Sequence, residues 1–237
     1  MQKSKKDKSL IKDKEIVLDT NILIEILHLK EFSEDFHDFI KNLNSAFFTI
    51  PPVFVELVNG LPKDQKIDKD SNNRLQKGIS SITKFLKEID INNESMHAIK
   101  MLAVLNAYVL ANSKHFCEYN IESPQPSFID FFLGYLTFGN NIILATLDHK
   151  ACPEYLFDRL YLKTFDYGEQ ILNVGFYKIN RDAYENLIKK IANLVKRKRP
   201  SASNCEVASR RRRPFRTPGE KPEPKGNFQK KGLISKA

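Results

Sequence analysis

The stretch EIVLDTNILIEIL, residues 15–27, decides the expected fold. Its first four residues form a short apolar run of the kind found in buried strands, and the run ends at Asp19. Apolar residues then recur at helical spacing from Ile22 onward. A strand that leads directly into a helix is typical of α/β proteins. The stretch therefore predicts a first strand, a turn at Asp19 and a helix.

The rest of the chain repeats this alternation. Helical patterns lie between several further segments with the apolar character of strands: AFFTI (46–50), NIILATL (141–147), YLKTF (161–165) and ILNVGFYKI (171–179). Asp182 and Glu185 have the spacing of a capping box for a last helix. We expect an α/β fold with a central, mainly parallel sheet flanked by helices.

The segment between the second and third strand candidates is long and mixed. Residues 61–73 are polar and predict a surface loop, whereas an apolar stripe from Leu75 to Ile89 predicts a helix. A second, more apolar helix is expected from about His97 to Ala111. We interpret residues 62–126 as a helical insertion, or as a cap over a groove.

Charge is distributed unevenly along the 237 residues. The net charge is +9, but residues 1–14 carry +4, residues 196–237 carry +11, and residues 15–195 carry −6. The last segment is rich in Arg, Lys, Pro, Ser and Gly and has few large apolar side chains, a composition typical of disorder. We therefore expect a basic N-terminal arm (1–14), a folded domain (15–195) and a disordered basic tail (196–237).

Several classes of protein are disfavoured by what the sequence lacks. It has no G-x-x-x-x-G-K-[ST], G-x-G-x-x-G, G-x-S-x-G or H-E-x-x-H pattern. Its three cysteines (Cys117, Cys152 and Cys205) are far apart, which disfavours a disulfide framework or a cysteine-rich zinc site and suits a reducing cytoplasm. The N-terminus has no apolar stretch of the secretory type, and no apolar run predicts a membrane span.

Four acids remain at the ends of strands and the beginnings of helices: Asp19, Glu56, Asp130 and Asp148. In open parallel sheets, ligands bind outside the carboxyl ends of the strands, so these four side chains are expected to converge there. Crowded carboxylates repel one another and call for a counter-cation. Oxygen ligands suit Mg²⁺ or Mn²⁺ better than zinc.

Each acid also has a structural interpretation. Asp19 could cap a helix, and Glu56 could complement a helix dipole. Asp130 has capping-box spacing from Ser127, and Asp148 could form a turn after its strand. Taken one at a time, these interpretations compete with the metal site.

The segments that carry the four acids resemble PIN-domain nucleases, most closely the VapC-type toxin ribonucleases. They are VLDTNILIEIL (17–27), FVELVNGL (54–61), FIDFFLGYLTF (128–138) and ILATLDHK (143–150). The resemblance implies a PIN-like three-layer fold, an acidic metal site at Asp19, Glu56, Asp130 and Asp148, and support from Asn21 and Thr146. It further implies hydrolysis of RNA phosphodiester bonds with Mg²⁺ or Mn²⁺, an antitoxin protein partner and a homodimer.

Two features depart from that pattern. No carboxylate follows Asp148 until Glu154, which favours one metal over two. The long basic tail is not typical of the toxins. A PIN-like module that binds RNA or protein without cutting therefore stays open. A phosphatase of the haloacid-dehalogenase type is disfavoured, because Asn21 stands where that family has a second Asp.

The basic tail predicts contact with nucleic acid. Arginine-rich disordered segments bind mainly through phosphates, with steep salt dependence. A solubilising tail, a targeting address or foreign terminal sequence would have the same composition. The candidate contact residues are Lys196, Arg197, Lys198, Arg199, Arg210, Arg211, Arg212 and Arg213.

Overall fold

The computed structural model describes residues 7–60, 69–119, 126–139 and 141–198. The chain divides after Lys196 into two units, and only the helical residues 197 and 198 of the second are described. Most of the predicted tail, the beginning of the N-terminal arm and the first part of the predicted 61–73 loop therefore lie outside the described residues.

Five strands and seven α-helices form the described part of the chain. The strands are β1 Glu15–Leu18, β2 Ala46–Phe48, β3 Ile142–Thr146, β4 Phe157–Asp166 and β5 Ile171–Ile179. The helices are α1 Thr20–His28, α2 Lys30–Lys41, α3 Pro51–Gly60, α4 Lys69–Ile82, α5 Asn93–Ala111, α6 Phe128–Leu136 and α7 Arg181–Lys198. Short 3-10 helices cover Lys8–Ile11, Thr83–Phe85, Ser113–His115 and His149–Ala151.

The strands form one sheet in the order β2-β1-β3-β5-β4. β1 is parallel to both β2 and β3, and β5 is antiparallel to both β3 and β4. Four of the five strands consequently run in the same direction, which confirms the predicted mainly parallel sheet. The exception is β5, which returns from β4 through a tight turn that contains Gly168 at φ +80°.

Helices cover both faces of the sheet. Phe176 and Ile179 lie three residues apart on β5 and so point to opposite faces. On one face the Phe176 ring is 5.8 Å from the ring of Phe39 in α2. On the other face, Phe157 and Ile179 lie against Gly134 of α6. α1 packs against α2, α3 and α4, and α5 packs against α6.

The predicted boundaries differ from the structure in the long middle segment. The loop predicted to end at residue 73 is already helical from Lys69, and the apolar stripe predicted to continue to Ile89 leaves the α-helix at Ile82. After Phe85 the chain takes an extended conformation, because its backbone pairs with that of Thr49, the residue that follows β2. The Thr49 amide donates to Phe85 O, and the Lys87 amide donates to Thr49 O, each over 2.9 Å. At the other end, α7 extends to Lys198, past the expected domain boundary at Val195.

The close contact of α6 with the sheet depends on a glycine. A Cβ at Gly134 would lie 2.6 Å from Cζ of the buried Phe157 ring. We expect Gly134→Ala to lower the free energy of unfolding by about 1–2 kcal/mol, because overpacking outweighs the helix propensity of alanine. Urea unfolding measures this change. In a Phe157→Leu background the same substitution should be neutral or stabilising, and equal stability of Gly134→Ala and the unaltered chain would contradict the contact.

In the described part of the chain, no helix combines the length and the apolar character needed to cross a membrane.

Candidate functional site

The register of β1 and β3 places Asp19 beside Thr146. Leu18 pairs with Ala145 at the carboxyl ends of these two parallel strands, so the next residue of each strand emerges at the same edge. The Asp19 amide donates to Ala145 O over 3.1 Å, which continues the ladder by one more bond. Asp19 also caps α1, so its carboxylate lies between a strand end and a helix beginning.

The carboxylate of Asp19 is buried and held by three donors. Its Oδ1 accepts from the Thr20 amide over 2.7 Å, and its Oδ2 accepts from Asn21 Nδ2 and from Thr146 Oγ1, each over 2.7 Å. Only 6% of the residue is exposed. A carboxylate with three donors has a fixed orientation, so Asp19 is the anchored member of the predicted set.

Asn21 and Thr146 connect α1 to the end of β3. Asn21 Oδ1 accepts from the Leu147 amide over 3.0 Å, and Thr146 Oγ1 accepts from the Asp148 amide over 2.9 Å. Both residues contact Asp19 directly and also fix the backbone that carries Asp148.

The other three acids each make a local contact. Glu56, in the second turn of α3, accepts from the hydroxyl of Thr20. Asp130 completes a capping box with Ser127: its Oδ2 accepts from the Ser127 amide over 2.6 Å. Asp148 Oδ1 accepts from the Lys150 amide over 3.0 Å. The capping and turn interpretations of Asp19, Asp130 and Asp148 are therefore confirmed as local structure, which does not remove these residues from a shared site.

The charges of the four acids act on one another in pairs, in addition to the effect of burial. Burial, with smaller contributions from the charges of Asp130 and Glu56, raises the pKa of Asp19 to about 6, although hydrogen bonds from Thr146 and Thr20 oppose the shift. Burial also raises the pKa of Asp130, with added repulsion from Asp148 and Glu56. Each acid is thus coupled to at least one of the others.

The donor chemistry of this site fits a hard divalent cation, because every candidate ligand is a carboxylate oxygen. The described side chains nevertheless include no group of three acids, histidines or cysteines that is arranged to coordinate one ion together. Three of these carboxylates accept hydrogen bonds from other groups instead: Glu56 from the Thr20 hydroxyl, Asp130 from the Ser127 amide, and Asp148 from the Lys150 amide.

Some residues at the site carried no signal in the sequence. Thr20 connects α1 to Glu56, and nothing in its local pattern predicts that contact. Cys152 is buried, and its thiol pKa is raised well above the usual value by burial and by the charges of Asp19, Asp130 and Asp148. This thiol is therefore protonated at neutral pH.

A second polar pair adjoins Asp148. His149 Nδ1 and the Tyr177 hydroxyl are 2.7 Å apart, and a Cβ at Gly175 would lie 2.4 Å from Cε2 of that tyrosine. Burial raises the pKa of Tyr177 to about 12, so its hydroxyl stays protonated. His149 lies in the 3-10 helix after β3 and Tyr177 lies on β5, the antiparallel neighbour of β3.

The predicted nucleic-acid contacts fall at the end of the described chain. Lys196 is exposed near the end of α7, and residues 197 and 198 continue the helix. Arg199 and the cluster at 210–213 lie outside the described residues.

The raised pKa of Asp19 makes stability depend on pH. Because the folded pKa of about 6 exceeds the unfolded value of 3.8, the ionised carboxylate destabilises the fold as the pH rises through this window. A shift of two units corresponds to about 3 kcal/mol, and a misplaced amide in Asp19→Asn offsets about 1 kcal/mol. Without divalent ions, we expect Asp19→Asn to be more stable than the unaltered chain by about 1–2 kcal/mol at pH 7.5.

Urea unfolding at several pH values checks this prediction. The difference between the two free energies of unfolding should shrink as the pH falls below about 6 and reach zero between pH 5 and pH 4. At lower pH the Asp19 side chain is neutral, only the cost of the misplaced amide is left, and Asp19→Asn should be the less stable protein. A difference that is constant with pH would show that burial and like charges do not act on Asp19.

Comparison with known proteins finds one matching family. A family model described as the PIN domain matches residues 16–151, which is more than half of the chain. No curated protein and no solved structure gives a significant match. The matched span begins in β1, ends in the 3-10 helix after β3, and contains all four acids, Asn21 and Thr146. The chain belongs to the PIN-domain family, whose members are generally nucleases.

Proposed function

We propose that this protein is a divalent-metal-dependent endoribonuclease whose metal is held by Asp19, Glu56, Asp130 and Asp148. The observation that carries the proposal is the hydrogen-bond network at the carboxyl edge of the sheet, in which Asp19 and Glu56 both accept from Thr20, and Thr146 donates to Asp19 and accepts from the Asp148 amide. The raised pKa values of Asp19 and Asp130 agree with it. Four separated segments of the chain supply the carboxylates, and repulsion between like charges is relieved by a cation. Mg²⁺ and Mn²⁺ are the ions that suit such ligands.

Each residue of the proposed site would have a role of its own in the reaction. A bound divalent cation would act as a Lewis acid that polarises the phosphodiester and lowers the pKa of an attacking water. Asp19 would be the fixed ligand, since Thr20, Asn21 and Thr146 already hold its carboxylate. Glu56 and Asp130 would turn inward, and either could accept the proton of the water. Asn21 and Thr146 are positioning residues that act through Asp19 and the backbone before Asp148.

The wider biological setting is part of the proposal. We infer a cytoplasmic toxin that an antitoxin protein holds inactive, and a homodimer as the working form. The basis is the order of the four acid-bearing segments, which resembles the VapC-type toxins.

A cleavage assay tests the proposed activity. The full chain is incubated with mixed, end-labelled RNA and Mg²⁺ or Mn²⁺, with EDTA and Asp19→Asn as controls. We expect cutting that both controls abolish. Cutting that survives EDTA, or that Asp19→Asn retains, would contradict the proposed site.

One observation favours a second function, that of a PIN-like module that binds RNA or protein without cutting. In the described residues, three of the four carboxylates serve local caps and turns, and no three are arranged around one position. Retention of RNA in a gel shift, without cleavage in either metal, would favour this function.

The basic tail provides a separate prediction about affinity. Residues 199–237 carry a net charge of +8, so their removal should weaken RNA binding and flatten its salt dependence. Truncation after Lys198 preserves the whole of α7. Fluorescence anisotropy across a salt series compares the two chains, with circular dichroism as the check on folding. Equal affinity and equal salt slopes would show that the tail does not contact RNA.

A further inference from the structure

The turn that carries Asp148 is joined to the sheet on both sides of that residue. On one side, Thr146 Oγ1 accepts from the Asp148 amide over 2.9 Å. On the other side, His149 Nδ1 and the Tyr177 hydroxyl of β5 form a hydrogen bond over 2.7 Å. The backbone bond within the turn, from the Ala151 amide to Asp148 O, is longer, at 3.3 Å. The backbone that carries Asp148 is thus attached to β3 at one end and to β5 at the other.

Gly175 leaves the space in which the bond to β5 forms. It pairs with Thr146 in the β3–β5 ladder, and it lies on the same face of β5 as Tyr177, two residues away. A Cβ at this position would lie 2.4 Å from Cε2 of Tyr177 and 2.9 Å from Nδ1 of His149. Any other residue at position 175 would therefore push one of the two rings aside. Only 3% of Tyr177 is exposed, so packing fixes the ring whose hydroxyl meets His149.

We propose that Tyr177 is a positioning residue of the candidate site, which acts through His149 to hold the turn that carries Asp148. This inference rests on the proposed nuclease function, in which Asp148 is a ligand of the divalent cation. It adds a residue of β5, a strand that lies outside the matched span 16–151. Groups that orient a metal ligand without touching the ion change metal affinity by about 10- to 100-fold when they are removed.

Tyr177→Phe tests the role, because it keeps the ring and removes only the hydroxyl. Since Tyr177 acts on Asp148 through a turn of the backbone, we expect the affinity for Mn²⁺ to fall by about 5- to 20-fold, toward the lower end of that range. Tyr155→Phe is the matched control and should leave the affinity unchanged. Tyr155 is also 3% exposed, and its hydroxyl donates to Asn106 of α5. Burial raises the pKa of both tyrosines to about 12.

Two measurements on the full chain without RNA follow the effect to Asp148. Electron paramagnetic resonance at room temperature gives the Mn²⁺ affinity, because free Mn²⁺ has a sharp signal that is lost on binding. Adding Tyr177→Phe to Asp148→Asn should weaken binding no further, since residues that act through one group are not additive. The Lys150 amide donates to Asp148 Oδ1 over 3.0 Å. Its hydrogen exchange, measured by NMR in EDTA, should be several-fold faster in Tyr177→Phe and unchanged in Tyr155→Phe.

The outcomes separate this inference from the proposed function. Unaltered Mn²⁺ affinity or Lys150 exchange in Tyr177→Phe would overturn the positioning role, as would an equal loss of affinity in Tyr155→Phe. Additive losses in the double variant would also overturn it, because Tyr177 would then act apart from Asp148. The expected pattern in a protein that never cleaves RNA would support the positioning role and reject the nuclease. Metal-dependent cleavage with equal affinity in Tyr177→Phe would do the reverse, and an unaltered chain that binds no Mn²⁺ would overturn both.

Discussion

Asp19→Asn is expected to reduce RNA cleavage by at least about 1,000-fold. Asp19 is the only one of the four acids that is both buried and held by three donors, so no other carboxylate can take its place. Metal catalysis contributes several kcal/mol, and loss of about 4 kcal/mol from the transition state corresponds to this factor. Initial cleavage rates at saturating Mg²⁺ or Mn²⁺ measure the change.

The matched control for this variant is Asp38→Asn. Asp38 is an exposed residue of α2, and its substitution removes the same charge from a place outside the site. We expect its activity to stay within about twofold of that of the unaltered chain, as for most surface substitutions. Asp19→Asn should unfold at a higher urea concentration than the unaltered chain in EDTA, so a loss of activity cannot be attributed to unfolding. Comparable activity of the two variants would remove Asp19 from the catalytic machinery.

The second large effect is expected at the beginning of α6, where two roles of Asp130 can be separated. Asp130→Asn keeps an oxygen that can accept from the Ser127 amide, so the cap is largely retained while the charge is lost. Ser127→Ala removes the reciprocal bond to the Asp130 amide but leaves the carboxylate. We expect Asp130→Asn to lower cleavage at least about 100-fold, as loss of a preorganised charged group does.

Ser127→Ala should show the opposite profile. Loss of the N-cap hydroxyl lowers the free energy of unfolding by about 1 kcal/mol, and cleavage should fall only a few-fold. Parallel measurements of urea unfolding and cleavage rate on both variants make the comparison. If Ser127→Ala lost as much activity as Asp130→Asn, the carboxylate would matter as a cap and not as a ligand.

The proximity of Asp19 and Thr146 was predictable because it depends on chain direction. Asp19 follows an apolar strand of four residues, and Thr146 ends another, so parallel pairing alone brings both to one edge. The beginning of α6 was also predictable, since Ser127 and Asp130 have capping-box spacing and form that box. These signals each lie within a short stretch of sequence. The parallel pairing of the strands is what brings the separate stretches close together in space.

What could not be predicted depends on contacts between distant segments. Asp182 and Glu185 have the same capping spacing, but Asn180 precedes α7 and accepts from the Ala183 amide over 2.8 Å. The reversed direction of β5 follows from the hairpin turn at Gly168, and the apolar run 171–179 carries no sign of strand direction. The orientation of Glu56 also required coordinates, because its carboxylate accepts from the hydroxyl of Thr20, which belongs to another helix.

The long span between the two halves of the candidate site bears on when that site is completed during synthesis of the chain. Asp19 and Glu56 are translated early, whereas Asp130, Thr146 and Asp148 come far later, and the bond from Thr146 to Asp19 bridges 127 positions. Until β3 leaves the ribosome, β1 lacks its central neighbour and Asp19 lacks one of its three donors. Pairing over such a distance is slow and comes late in folding. A nascent chain on the ribosome, which is itself built of RNA, therefore carries an incomplete site for most of its synthesis.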